Sequence, residues 1–235
     1  MERIDKILAS QNFGSRKQVH KLIKSKAVTI NGDLCRDVSQ KVNPQTDSIR
    51  VNGEELGFKK HLYIMMNKPA GVLSASRDKN AKTVLDLLPD NLKRKGLFPA
   101  GRLDKDTEGL LIITDDGDFA HRMLSPGKKV YKRYFARLDN PVNEDVKEKF
   151  RQGIVFSDGT QCMPAKLEIC DDKRCTVVSI CEGKFHQVKK MFACCNLQVE
   201  YLKRLSIGRL ALDENLALGE SKELSDCEKQ LIFFV

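Results

Sequence analysis

The chain has 235 residues, 41% of them hydrophobic and 31% charged, which is too long for a disulfide-stapled miniprotein and too apolar for a disordered chain. Lys and Arg total 41 against 32 Asp and Glu, a formal net charge of +9, so a polyanionic partner is expected, nucleic acid ahead of an anionic membrane surface. No run approaches the roughly 18 apolar residues of a membrane span, and Met1-Glu2-Arg3-Ile4-Asp5 lacks the charged-then-apolar layout of a secretory signal. The expectation is a cytoplasmic protein with no membrane partner. The eight cysteines form no C-x-x-C pair and sit at irregular gaps, so they read as small buried reduced thiols with no metal site.

At the start of the chain, Ile4, Ile7 and Leu8 repeat at helical spacing until Gly14 breaks the pattern. Ser15-Arg16-Lys17-Gln18 then has the S-x-x-Q form of a capping box, opening a second helix through Val19, Leu22 and Ile23. Residues 1–26 hold seven basic side chains against Glu2 and Asp5, a local charge of +5 that predicts a basic face. Val28-Thr29-Ile30 ahead of Asn31-Gly32, and Ser48-Ile49-Arg50-Val51 ahead of Asn52-Gly53, are strand-and-turn signals. A small α+β domain is therefore expected over residues 1–57, with a hinge at Gly57–His61 and a second domain over 58–235.

Beyond the hinge, Leu62–Met66 reads as a strand running into Asn67-Lys68-Pro69-Ala70-Gly71. Further strands are expected at 109–114, 131–138, 165–169, 175–180 and 207–211, and helices at 83–88, 118–124, 143–152, 184–194 and 225–231. Strands outnumber helices without a regular βαβ repeat, so the expected fold is α+β with a mixed, mainly antiparallel sheet and flanking helices. The segment Gly101–Thr107 is a charge-dense loop that delivers Arg102 and Asp104 just before a buried strand, a common way to present reactive groups. Thr114-Asp115-Asp116-Gly117-Asp118 crowds three acids into one turn, but it lacks the later ligands of a calcium loop and reads as a helix-capping turn.

Two resemblances sharpen this reading. The basic helix pair coupled to a compact β-ribbon resembles the S4 RNA-binding module over residues 1–57, which implies phosphate contacts from Arg3, Arg16, Lys17, Lys21 and Lys24. Gly101-Arg102-Leu103-Asp104 followed by Thr107-Glu108-Gly109-Leu110-Leu111 resembles the G-R-L-D-x-x-T-x-G-L-L signature of pseudouridine synthases. Tyr63–Gly71 is similar to the family's strand ending in N-K-P-x-G, Lys132-Arg133-Tyr134 to its K-x-Y block, and Gly183–Phe192 to its G-[RK]-x-H-Q-[VI]-[RK]-[RK]-M-F block. Within the family the short opening domain and Met123-Leu124-Ser125-Pro126 resemble the small-subunit rRNA enzymes.

The resemblance implies isomerisation of a specific uridine to pseudouridine in ribosomal RNA, 16S before 23S, with no cofactor. The partner is ribosomal RNA or a ribosomal-subunit assembly intermediate, and a monomer is expected. Asp104 would be the catalytic carboxylate, either adding covalently or removing the 2′ proton to give a glycal. Lys189 matches the family's active-site cation, and Tyr134 its stacking tyrosine; Lys129-Val130-Tyr131 is a competing register. Arg102 would fill the space left by the extruded nucleotide or hold its flanking phosphate. His121 and His186 stay outside the catalytic set. Two rivals are a non-enzymatic ribosome-assembly factor and a metal-dependent nuclease acting through Asp104, Asp106, Asp115 and Asp116.

Overall fold

The computed structural model describes residues 1–234, and the chain divides into two compact units. The first comprises Met1–Leu62 together with Lys93–Gly96; the second comprises Tyr63–Leu92 and the chain from Leu97 onward.

In the first unit, strand β1 (Glu2–Arg3) leads into helices α1 (Ile4–Ser10) and α2 (Arg16–Lys24), followed by β2 (Val28–Ile30), β3 (Asp33–Leu34), β4 (Lys41–Val42), β5 (Ile49–Val51) and β6 (Glu54–Glu55). The capping box forms: Gln18 N donates to Ser15 Oγ at 3.4 Å and Ser15 N to Gln18 Oε1 at 2.7 Å. Asn31-Gly32 and Asn52-Gly53 each carry two consecutive positive φ angles, +52° and +91°, and +53° and +85°, the conformation that closes two-residue hairpins. The resulting sheet has the order β3-β2-β5-β6, and β1 pairs separately with β4. Helices and ribbon bury one core that includes Ile4, Ile7, Leu8, Val19, Ile23, Val28, Ile49 and Val51. The apolar stripe of α2 faces that core, which leaves Arg16, Lys17, Lys21 and Lys24 exposed.

The second unit is built on a nine-stranded sheet. Its elements are β7 (Tyr63–Lys68), β8 (Phe98–Ala100), β9 (Glu108–Thr114), α3 (Gly117–Leu124), β10 (Lys132–Leu138), α4 (Glu144–Gln152), β11 (Lys166–Ile169), β12 (Cys175–Ile180), α5 (Gln187–Ala193), β13 (Val199–Ile207), β14 (Leu210–Ala211), β15 (Ser221–Glu223) and α6 (Asp226–Leu231). The strand order is β11-β12-β10-β13-β9-β7-β15, with β14 on β13 and β8 on β9. The pairing is antiparallel throughout except between β13 and β9. The apolar runs of β7 and β9 pack with α3 through Met65, Leu110, Ile112, Phe119 and Met123.

The main departure from the sequence reading is the centre of this sheet. The expected strand at 207–211 is instead the hairpin that ends a nine-residue strand, Val199–Ile207: Ile207 closes that strand, residues 208–209 turn, and Leu210–Ala211 pair back on it. Its buried positions include Leu202, Arg204 and Ser206, so a buried charge and a hydroxyl hide the alternation that marks a strand. The helix expected from Lys184 starts only at Gln187, because His186 sits in the left-handed region at φ +52°. Residues Val84–Leu87 form a 3₁₀ turn instead of an α-helix. The two-residue strands β1 and β4 and the three-residue strands β8 and β15 carry too little periodicity to be read.

Candidate active site

The loop between β8 and β9 carries the charge-dense motif, and its backbone is held from beneath. Lys68, at the end of β7, is fully buried, and its ammonium donates to the carbonyls of Pro69 (3.0 Å), Asp104 (3.0 Å), Lys105 (3.3 Å) and Thr107 (2.9 Å). Burial pushes this ammonium down to about 8, against the opposing pull of Asp106, Asp104 and Glu108. Gly71 N donates to Lys105 O at 2.7 Å, and Ser74 Oγ bridges both backbone groups of Leu103, at 3.1 Å to its N and 2.9 Å to its O. The residues on either side of Asp104 are thus fixed by contacts to their main chain.

Asp104 points into a cleft of about 790 Å³ whose lining includes Arg102, Lys132, Tyr134, Phe185, His186 and Arg204. Its Oδ2 lies 3.5 Å from Lys189 Nζ and its Oδ1 3.6 Å from His186 Nε2. The Asp104 side chain is 25% exposed, open enough to meet a substrate yet flanked by two nitrogen groups. Lys189 is shared: its ammonium lies closer to Asp106, at 2.6 Å, and that hydrogen bond holds the Asp106 carboxyl below the usual carboxylate range.

Tyr134, rather than Tyr131, faces the cleft, where it is 8% exposed. Arg102 is exposed at the rim and makes no ion pair or side-chain hydrogen bond among the described residues. The cations Arg16, Lys17, Lys21 and Lys24 belong to the first unit, as does Arg3, whose guanidinium is bidentate on buried Asp5 at 3.0 Å and 3.0 Å. The acidic turn is occupied locally, since Asp116 accepts from Phe119 N at 3.0 Å as the cap of α3 and from the Tyr63 hydroxyl at 2.6 Å. Asp106 and Asp115 lie beyond opposite ends of seven-residue β9, roughly 20 Å of extended chain, so they cannot share one ion as the nuclease reading requires.

Arg204 is the cleft residue that no sequence motif marked, whereas Lys68 beneath the loop and Lys132 and His186 in the cleft lie within the quoted motif blocks without a role drawn from them. Arg204 is 3% exposed, donates from Nε to Leu110 O at 2.7 Å and from Nη1 to the Tyr134 hydroxyl at 3.3 Å. Lys132 is 4% exposed and reaches Met123 O at 3.2 Å; burial, and then the neighbouring Arg204 charge, push its ammonium down to about 8. At the cleft mouth the exposed Phe185 ring stacks on His186 with centroids 3.8 Å apart.

The comparisons with known proteins give the family. The family model described as RNA pseudouridylate synthase matches residues 62–194, and the S4 domain model matches residues 2–47. The chain is 46% identical over 233 residues, 98% of each chain, to an uncharacterized RNA pseudouridine synthase of Bacillus subtilis. It is 39% identical to ribosomal small subunit pseudouridine synthase A of Pasteurella multocida, covering 95% of this chain and 96% of that one. A crystal structure of a pseudouridylate synthase superposes with a TM-score of 0.69 at 35% identity, covering 99% of this chain and 100% of that one. A carboxylate loop over a cleft, joined in one chain to an S4 module, is thus the arrangement of an RNA-modifying isomerase, and the chain belongs to the RNA pseudouridine synthase family.

Proposed function

We propose that the protein converts one uridine of small-subunit (16S) ribosomal RNA to pseudouridine, with residues 1–57 binding RNA and 58–235 carrying out the reaction. The observation that carries the reading is Asp104 in the cleft, with Lys189 Nζ at 3.5 Å and Tyr134 in the same wall. The 16S assignment is supported by the small-subunit relatives, matched over 95% of this chain at 39% identity.

The target nucleotide is extruded into the cleft at an unstacking cost of a few kcal/mol. Arg102, with no ion pair among the described residues, fills the vacated space or holds the flanking phosphate. The Asp104 carboxylate attacks C1′ or removes the 2′ proton, the N1–C1′ bond breaks with its electron pair leaving on uracil, and the base turns. C5 then bonds to C1′ as the C1′–O bond to Asp104 breaks or, on the glycal route, as Asp104 returns the proton to C2′. The C5 proton leaves and N1 takes a proton, so the atoms balance without a cofactor. Tyr134 stacks on the base, and its hydroxyl, which accepts from Arg204, assists the C5 proton transfer. Exposed Arg16, Lys17, Lys21 and Lys24 bind phosphates of the rRNA or its assembly intermediate, and the enzyme works as a monomer.

The test is a pseudouridine map of rRNA from cells with and without the gene, complemented by wild type or by Asp104→Asn. One 16S pseudouridine should vanish, return with wild type and stay absent with Asp104→Asn. Loss of a 23S site instead overturns the substrate assignment, and return of the site with Asp104→Asn overturns the catalytic one.

A further inference from the structure

Lys132 and Arg204 are two buried cations in the wall of the reaction cleft, and neither has a carboxylate partner among the described residues. They lie on adjacent strands, with Lys132 two residues before Tyr134 on β10 and Arg204 paired to Tyr134 on β13. Their neutral partners leave donors over. Among the described residues, the Lys132 ammonium has three protons and one acceptor, Met123 O, while the Nη2 of Arg204 is buried without an acceptor. The buried carboxylate of the same wall, Glu182, is committed to Lys184, to Gln187 Nε2 at 2.7 Å and to the Met163 amide at 2.8 Å.

An uncompensated pair of buried cations is costly in a folded protein unless an anion arrives to meet it. Burial, and then the neighbouring Arg204 charge, push the Lys132 ammonium down to about 8, in keeping with two cations packed together without a carboxylate. The base itself becomes an anion at one stage of the reaction. When N1–C1′ breaks heterolytically, the electron pair stays with the base, and the negative charge spreads from N1 onto the carbonyl oxygens of uracil.

We propose that Lys132 and Arg204 form the site that stabilises the departing uracil anion, donating to its carbonyl oxygens. This inference rests on the reading that the base is cleaved and turned in this cleft. The donors are fixed before the reaction: Arg204 Nε is anchored on Leu110 O, and Lys132 is held on Met123 O. Preorganised donors in a site shielded from water act most strongly where charge develops, so their effect belongs to bond cleavage more than to binding. The later step returns the electron pair to carbon when C5 bonds to C1′, and the uracil then leaves the cation pair as a neutral base.

The test uses the full-length enzyme and whichever rRNA fragment the modification map identifies, with uridine or 5-fluorouridine at the target. Turnover of the uridine fragment by wild type first establishes the reaction independently of the inference. Fluorine makes the base a better leaving anion, which lessens the need for stabilisation. Lys132→Met should slow single-turnover loss of the target nucleoside by about 100-fold with RNA affinity within about threefold. On the fluorinated RNA the deficit should shrink to about tenfold or less, and Lys132→Arg should recover most of the rate on both. An equal deficit on the two RNAs, or a deficit carried by affinity, overturns the proposal. If Lys132→Met does not fold, Arg204→Lys is compared with wild type on the same two substrates and judged by the same shrinkage.

Discussion

The backbone carbonyl of Arg204 occupies the space where a side chain on Gly109 would begin, only 2.3 Å from an ideal Cβ position. Strands β9 and β13 are parallel neighbours at this point, with Gly109 opposite Arg204, and Gly109 also takes φ +100°. The glycine of the signature therefore lets the strand carrying the reactive loop lie against the strand carrying Arg204. Gly109→Ala should destabilise by about 3 kcal/mol or more through backbone overlap and left-handed strain. A thermal melt should show Tm falling by roughly 6–12 °C; an unchanged Tm would mean the two strands can separate freely.

Lys68 should make stability rise with pH in the alkaline range. Its ammonium is pushed down to about 8 in the fold against 10.5 for a free lysine, so between these values the unfolded chain binds the extra proton and stability climbs with pH. Below about 8 both states are protonated and the lysine's effect is constant. Relative to Lys68→Met, wild type should gain up to about 3 kcal/mol between pH 8 and 10.5, measured by urea unfolding of both proteins. A stability difference that does not shift in favour of wild type on going to pH 10.5 would contradict the burial argument.

Lys189 stands between two carboxylates, and the nearer is Asp106. Asp106→Asn should leave single-turnover rates within about threefold of wild type, because the ammonium keeps Asp104. Lys189→Met should cost about 100-fold or more and Lys189→Arg about tenfold, since the guanidinium restores charge with a different reach. Carboxyl carbon NMR should also show Asp106 titrating nearer the ordinary range in Lys189→Met. A larger loss from Asp106→Asn than from Lys189→Met would reverse the assignment of the two acids.

Replacing Arg16, Lys17, Lys21 and Lys24 together by Gln should flatten the plot of log affinity against log salt by about 0.7–0.9 for each phosphate that is no longer neutralised. Arg3 is already bidentate on Asp5, so Arg3→Gln should change the slope less than any one of the four. Binding titrations from low to physiological salt measure both.

The elements with strong local chemistry were legible in the sequence. The Ser15–Gln18 capping box, the two Asn-Gly turns and the apolar run of β9 each follow from rules that act over a few residues. Asp104, Tyr134 and Lys189 were picked out only through ordered motifs, because nothing within the loop or the helix shows that Lys189 lies beside Asp104 or that Tyr134 shares its cleft. Lys68, Lys132 and Arg204 stayed hidden for a different reason. In a sequence a lysine or arginine reads as surface, and only the strand register reveals that these three point inward. Arg204 concealed its whole strand in this way, which is why the expected strand began at Ile207.

The grip of Lys68 on carbonyls alone has an evolutionary consequence. Every amino acid offers the same carbonyl, so the underside of the reactive loop is held without regard to which side chains stand on it. Substitutions at exposed Arg102, Lys105 or Asp106 can alter what the loop touches while the carboxylate of Asp104 stays where the strand register puts it. Such a fold can acquire a new RNA target by changing the upper surface of one loop, with its chemistry inherited intact.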